Sequence, residues 1–187
     1  MANTTGKKIK DAAIIGGCAS LIYLTIGDIS YRLSLSRGGL NSKLITDMVA
    51  KSAAKKPKNE YKEKLDSMID DGADWFMHQD TEKIIIEKKH RLSLYADLIR
   101  PDKPSNVYII CIHGYTSSPA NMGIYAKKYH ELGYNVLLPS LRGHGDSEQD
   151  FITMGWNDRL DVIEWINYIA ERHPESKIIL HGVSMGA

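Results

Sequence analysis

Hydrophobic and polar positions change rhythm several times along this chain. Residues 12–27 form an uncharged stretch, AAIIGGCASLIYLTIG, that follows Lys7, Lys8 and Lys10. Residues 61–79 set Leu65, Met68, Ile69, Ala73, Trp75 and Phe76 among polar positions, which predicts a helix with one apolar face packed on the domain that follows. From 81 to 100 the period shortens. Ile84-Ile85-Ile86, and then Leu92, Leu94, Ala96 and Leu98 alternating with Ser93, Tyr95, Asp97 and Ile99, predict two strands joined near residues 89–91. Alternation marks a half-exposed pair, as expected at the antiparallel edge of a mixed sheet.

Beyond Asn106 the pattern becomes β/α. VYIICI, residues 107–112, is a continuous apolar strand of the kind that a central parallel position requires, because both of its faces are covered. Met122, Tyr125, Tyr129 and Leu132 follow at helical spacing over residues 121–132, with Gly133 where a C-terminal glycine stop belongs. A short strand at 136–138 comes next. A helix over 158–172 carries Leu160, Ile163, Trp165, Ile166 and Ile169 and is closed by Pro174, and a third apolar strand starts at Lys177. Two successive strand-helix-strand units predict an α/β fold: a mostly parallel sheet flanked by helices and preceded by an antiparallel strand pair. KSAAKKPK, residues 51–58, is basic and broken by Pro57, and it divides an N-terminal portion, 1–59, from the α/β portion, 60–187.

Composition narrows the classes. The chain has 187 residues, 43% hydrophobic and 25% charged, with a formal net charge of +1. One domain with a real core fits that length, and no basic patch argues for nucleic acid. Cys18 and Cys111 lie far apart in apolar contexts, so no disulfide framework is expected. The N-terminal stretch admits three readings: an uncleaved membrane anchor, a cleaved signal sequence, or a helix of a soluble protein. Sixteen residues make about 24 Å of helix against a hydrocarbon core of about 30 Å, a short span. The anchor is the expectation, and basic residues on its N-terminal side favour an inside N-terminus, with the α/β portion outside the membrane.

The sharpest chemical signal is Gly182-Val183-Ser184-Met185-Gly186, a G-x-S-x-G directly after a strand-like run. A turn tight enough to lift a serine hydroxyl over a sheet leaves no room for side chains at Gly182 and Gly186. Ser184 is then a candidate nucleophile, with the Met185 amide aimed at the carbonyl under attack. In Cys111-Ile112-His113-Gly114-Tyr115, a strand ends in His-Gly, and the Tyr115 amide is placed to supply the second half of an oxyanion hole. His113 reads as a hydrogen-bonding support for that loop rather than as a base. A third segment, LPSLRGHGDS, brings Arg142, Gly143, His144, Gly145 and Asp146 to the carboxyl edge of the sheet. An Arg142–Asp146 ion pair shaping the loop is the expectation; direct substrate contact by Arg142 or His144 is the alternative. No metal site is expected, because its ligands would come from unrelated positions.

HGYTSS, LPSLRGHGDS and HGVSMGA, in this order, resemble the α/β-hydrolase superfamily over roughly residues 81–187. More narrowly they are similar to bacterial serine esterases and lysophospholipase-like hydrolases, often drawn with an N-terminal hydrophobic segment. The resemblance implies Ser184 as nucleophile, Tyr115 and Met185 as oxyanion amides, the Arg142 to Ser147 loop as support, a small ester or acyl substrate, and no cofactor. In that superfamily the catalytic acid and base follow the serine in chain order, and nothing follows Ala187 here. Neither His181, on the strand itself, nor His144 is an expected replacement. The expectation is therefore an ester hydrolase whose acid, base and lid lie outside this chain. The alternatives are a peptidase using the same elbow or a catalytically silent fragment of the fold. Oligomeric state is not legible.

Overall fold

A computed structural model describes residues 2–36, 59–88, 92–147 and 149–187. The connector at 51–58 and the strand junction at 89–91 lie outside the described residues. Helix α1 (Ala2–Leu35) is followed by α2 (Glu60–Met77), strands β1 (Glu82–Lys88), β2 (Leu92–Ile99) and β3 (Val107–Ile112), helix α3 (Gly123–Glu131), strand β4 (Asn135–Ser140), helix α4 (Asp158–Arg172) and strand β5 (Lys177–Gly182). Short 3-10 turns, Pro119–Met122 and Ser184–Gly186, lead into α3 and follow β5. The predicted helix over 121–132 thus divides between the end of a 3-10 turn and an α-helix, and Pro119 opens that turn at a position where a missing N–H costs nothing.

The sheet order is β1-β2-β4-β3-β5. β1 pairs antiparallel with β2 and β2 antiparallel with β4, whereas β3 lies parallel to both β4 and β5. This is a central sheet in an α/β-hydrolase arrangement, with the antiparallel pair at one edge as the alternation predicted. Along β3 the two faces separate cleanly. Tyr108, Ile110 and Ile112 join Leu137, Trp165 and Ile169 in the core; Ile109 and Cys111 join Phe76, Met122 and Val136 in a second core on the other face. A strand has a side-chain period of 2, so a six-residue apolar run fills both layers at once. Trp165 is fully buried, and its truncation to Ala costs about 3–5 kcal/mol.

Helix α2 starts where the Asn59 side chain accepts the Tyr61 N–H at 3.0 Å. It crosses α3 at a glycine pair: a Cβ on Gly72 would stand 2.3 Å from the Ile124 nitrogen, and one on Gly123 would stand 2.0 Å from the Gly72 carbonyl oxygen. The helix predicted over 61–79 therefore packs on the domain through backbone contact, with Phe76 as its buried anchor.

The expectation of a membrane anchor over residues 12–27 is corrected by the structure, and with it the membrane-anchored localisation and the membrane association inferred from it. Among the described residues, no helix is long and apolar enough to cross a membrane. The uncharged run is short, is broken by Gly16, Gly17, Ser20 and Thr25, and is bounded by Asp11 and Asp28. It belongs to a 34-residue helix whose C-terminal end docks on the α/β portion. Strand β5 borders the sheet, and Ile179 and Leu180 on it are about half exposed, 47% and 51%.

Candidate active site

The carboxyl ends of β3, β4 and β5 lie side by side, because the three strands are parallel and adjacent. Their following loops carry all three sequence motifs to one edge. At the end of β5 the chain turns sharply: the Val183 N–H donates to the Ile112 carbonyl at 3.1 Å, and the Gly186 N–H donates back to Val183 at 3.0 Å. Ser184 takes a left-handed backbone, φ 55, and is exposed. A non-glycine residue held there is strained by about 1–2 kcal/mol, so the surrounding contacts must fix it.

Glycines make those contacts. A Cβ on Gly182 would meet the Gly186 oxygen at 2.1 Å, and one on Gly186 would meet the Ile112 and His113 oxygens at 2.4 and 2.6 Å. Gly114 is as constrained from the opposite side, since its Cβ would fall 3.0 Å from the Val183 oxygen and 3.7 Å from Ser184 Oγ. The loop after β3 thus lies directly against the serine. No acceptor among the described residues receives the Tyr115 N–H.

Two buried histidines tie that loop to the loop after β4. The Leu141 N–H donates to His113 Nε2 at 3.1 Å, which leaves the proton on Nδ1, 2.9 Å from the Gly114 carbonyl. The Thr116 N–H donates to His144 Nε2 at 3.2 Å, and His144 Nδ1–H faces the Arg142 carbonyl at 2.9 Å. The rings meet edge to face at 4.9 Å. Both are therefore neutral imidazoles with both nitrogens committed. Burial pushes His113 down to about 4, against a weaker upward pull from the Gly114 hydrogen bond. His144 is lowered for the same reason.

The expected Arg142–Asp146 ion pair does not form. Arg142 reaches across to α4 and binds Asp161 in a bidentate pair, through Nε and, at 2.7 Å, through Nη2. Asp146 is exposed. The pairing with Asp161, foremost, raises the Arg142 pKa. Asp158 completes the anchor, accepting the Arg142 N–H at 3.3 Å on one oxygen and the Thr153 hydroxyl and Gly155 N–H, at 2.7 and 2.9 Å, on the other. Two carboxylates in the first turn of a helix also oppose the positive end of its dipole. The sequence reading missed both; their only signal is that Asp158 and Asp161 open a helix facing a loop with one arginine.

Gly143 and Gly145 in the same loop have φ +72 and +52, and a Cβ on either would come within 3.0 Å of Ile152 or Ser140. His181 points away from the serine, its Nδ1 lying 2.8 Å from the Tyr129 hydroxyl and its ring 4.4 Å from that of Tyr125. Among the described residues no histidine is hydrogen-bonded to Ser184, and no group of three or more His, Cys, Asp and Glu side chains is placed to hold a metal ion. Cys111 is buried, and burial pushes its thiol up to about 12.

Comparison with known proteins agrees with this architecture. A family model described as serine aminopeptidase, S33, matches residues 103–187. A thermostable monoacylglycerol lipase of Bacillus sp. (strain H-257) is 32% identical over 85 residues, 43% of this chain and 32% of its own length. The uncharacterized protein YqkD of Bacillus subtilis (strain 168) is 29% identical over 113 residues, 60% of this chain and 37% of its own. Among solved structures, the Pyrococcus furiosus esterase Pf2001 superposes with a TM-score of 0.53 at 30% identity, over 60% of this chain and 44% of that one. A thermostable carboxyl esterase from Bacillus coagulans shares the fold, with a TM-score of 0.50 at 16% identity, over 58% of this chain and 37% of that one. The chain spans about a third of the length of the curated relatives it matches. It has an α/β-hydrolase fold.

Proposed function

We propose that residues 60–187 carry the nucleophile half of a serine hydrolase acting on carboxylic esters. The observation that supports this most is the strained corner of Ser184, exposed at the carboxyl edge of the sheet and pressed against Gly114 of the loop after β3. A buried structural serine has no need of that conformation.

In this reading the Ser184 hydroxyl attacks the ester carbonyl while a base takes its proton. The amides of Tyr115 and Met185 hold the oxyanion, the alcohol leaves with a proton from the same base, and water then cleaves the acyl-serine. His113 and His144 act as neutral clips that hold the Tyr115 loop, and Gly114, Gly182 and Gly186 allow the close approach. Gly143, Gly145 and Arg142 hold the β4 loop that presents His144, and Asp146 lies exposed on the same loop. Both clip histidines have their nitrogens engaged by backbone, so the base and the acid that orients it must come from outside the described residues. Without one, a serine hydroxyl stays a poor nucleophile at neutral pH.

The match to a serine aminopeptidase model favours a second reading, hydrolysis of an amide at the same serine. Assaying the full-length protein on p-nitrophenyl butyrate and on amino-acid p-nitroanilides separates the two. Turnover of the ester, abolished in Ser184→Ala, supports the first reading. Turnover confined to the anilides supports the second, and turnover of neither rejects both.

A further inference from the structure

The C-terminal end of α1 closes a circuit of contacts around Ser184. Gly114 lies against the serine, and its neighbour Tyr115 extends its hydroxyl away to donate to the carbonyl of Ser34 in the last turn of α1. The next carbonyl of α1, Leu35, accepts the Ile152 N–H at 2.8 Å, and Ser36 forms a single antiparallel bridge with Phe151. Tyr31, one helical turn before Ser34, sets its ring against that of Phe151 in a tilted pair with centroids 5.6 Å apart. The chain then runs through Met154, held at φ 50, to Gly155, whose Cβ would lie 3.6 Å from the Met185 oxygen at the elbow. Elbow, Tyr115, α1 end and the 151–155 segment are thus joined contact by contact. Two large apolar side chains on this circuit are exposed, Tyr31 at 50% and Met154 at 54%. The cation nearest in sequence to Tyr31, Arg32, is paired with Asp28 at 2.8 Å; Asp150, next to Phe151, is exposed.

We propose that the last turn of α1 is a working part of the ester site, with Tyr115 as a positioning residue and Tyr31, Phe151 and Met154 as an apolar collar for the hydrophobic part of the ester. The inference rests on the ester-hydrolase reading above. A tether from the side chain of Tyr115 fixes the backbone amide of the same residue, so its loss acts on the transition state. The collar instead touches substrate atoms remote from the carbonyl, so its loss acts on chain-length preference.

The test uses the full-length protein with p-nitrophenyl acetate and octanoate. Tyr115→Phe removes only the hydroxyl and is predicted to lower kcat on both esters about tenfold, with KM changed less than about twofold. Tyr31→Ala is predicted to lower the octanoate-to-acetate ratio of kcat/KM about tenfold, and Tyr31→Phe to restore it. That ratio is taken within one variant, so it does not depend on how much of the protein is folded; rates for Tyr115→Phe are set against sites titrated with fluorophosphonate. Absence of either effect overturns the inference while leaving the ester-hydrolase reading standing, provided Ser184→Ala abolishes turnover. A wild-type protein that turns over neither ester, or does so equally with Ser184→Ala, overturns that reading and this inference together.

Discussion

The Thr116 amide donates to Nε2 of His144, which sits 28 residues further along the chain, and this bond exists only while the imidazole is neutral. His113 makes the equivalent bond with the Leu141 amide. The loop beside Ser184 is thus held by two acceptors that disappear on protonation.

Acid should therefore loosen the fold at these clips. Both histidines have folded pKa values below the ordinary 6.5, His113 at about 4. The unfolded chain takes up protons first as pH falls, so both contributions are intact above pH 6.5 and are lost as pH falls, that of His113 progressively toward pH 4. For His113 the full loss is on the order of 3 kcal/mol. Urea unfolding at pH 7.5 and pH 4.5 should show this drop, and His113→Asn should flatten it while lowering stability at pH 7.5.

Two glycines should respond differently to alanine. At Gly186 the new Cβ meets backbone oxygens of β3 and of His113, so Gly186→Ala should cost about 3 kcal/mol or more and displace Ser184. Gly133 has φ +80 but open space around it, so Gly133→Ala should cost only about 1 kcal/mol and leave the proposed ester turnover unchanged. Thermal melting with a parallel ester assay distinguishes the two.

The arginine network gives a third contrast. Arg142 and Asp161 are nearly buried, with side chains 11% and 5% exposed, so Asp161→Asn should cost about 3 kcal/mol by removing the charge of the guanidinium's bidentate partner. Arg142→Lys should fail to restore the bidentate geometry. Asp146→Asn, on an exposed residue, should change stability by less than about 0.5 kcal/mol. Denaturant midpoints for the three variants check the assignment.

Cys111 is shut away from solvent and its thiol is pushed up to about 12. In native protein at pH 8, peptide mapping after brief iodoacetamide treatment should find Cys111 unmodified, and after unfolding fully modified.

How far the sequence revealed this molecule depends on whether a feature has a local signature. VYIICI announces a strand covered on both faces because its own six residues fill both core layers. GVSMG announces its corner because the glycines that allow it are only two residues from the serine. The partner of Arg142 had no such mark. Asp146 is four residues away and Asp161 nineteen, yet the turn between β4 and α4 brings only the distant one into reach. Likewise, nothing in residues 12–27 foretells that the end of the same helix contacts Tyr115, some 80 positions on. The uncharged run alone favoured an anchor, and the span was too short and too interrupted to be one. Contacts between Gly72 and Gly123 were equally silent, since a glycine at a helix crossing looks like a weak position until the second helix is placed.

The central claim is that Ser184 is a displayed nucleophile, and a fluorophosphonate probe tests it most directly. The full-length, folded protein is treated with the probe, digested and analysed by mass spectrometry. The account predicts one adduct, on the peptide carrying Ser184, and none in Ser184→Ala. An adduct elsewhere, or no adduct on folded protein, contradicts it.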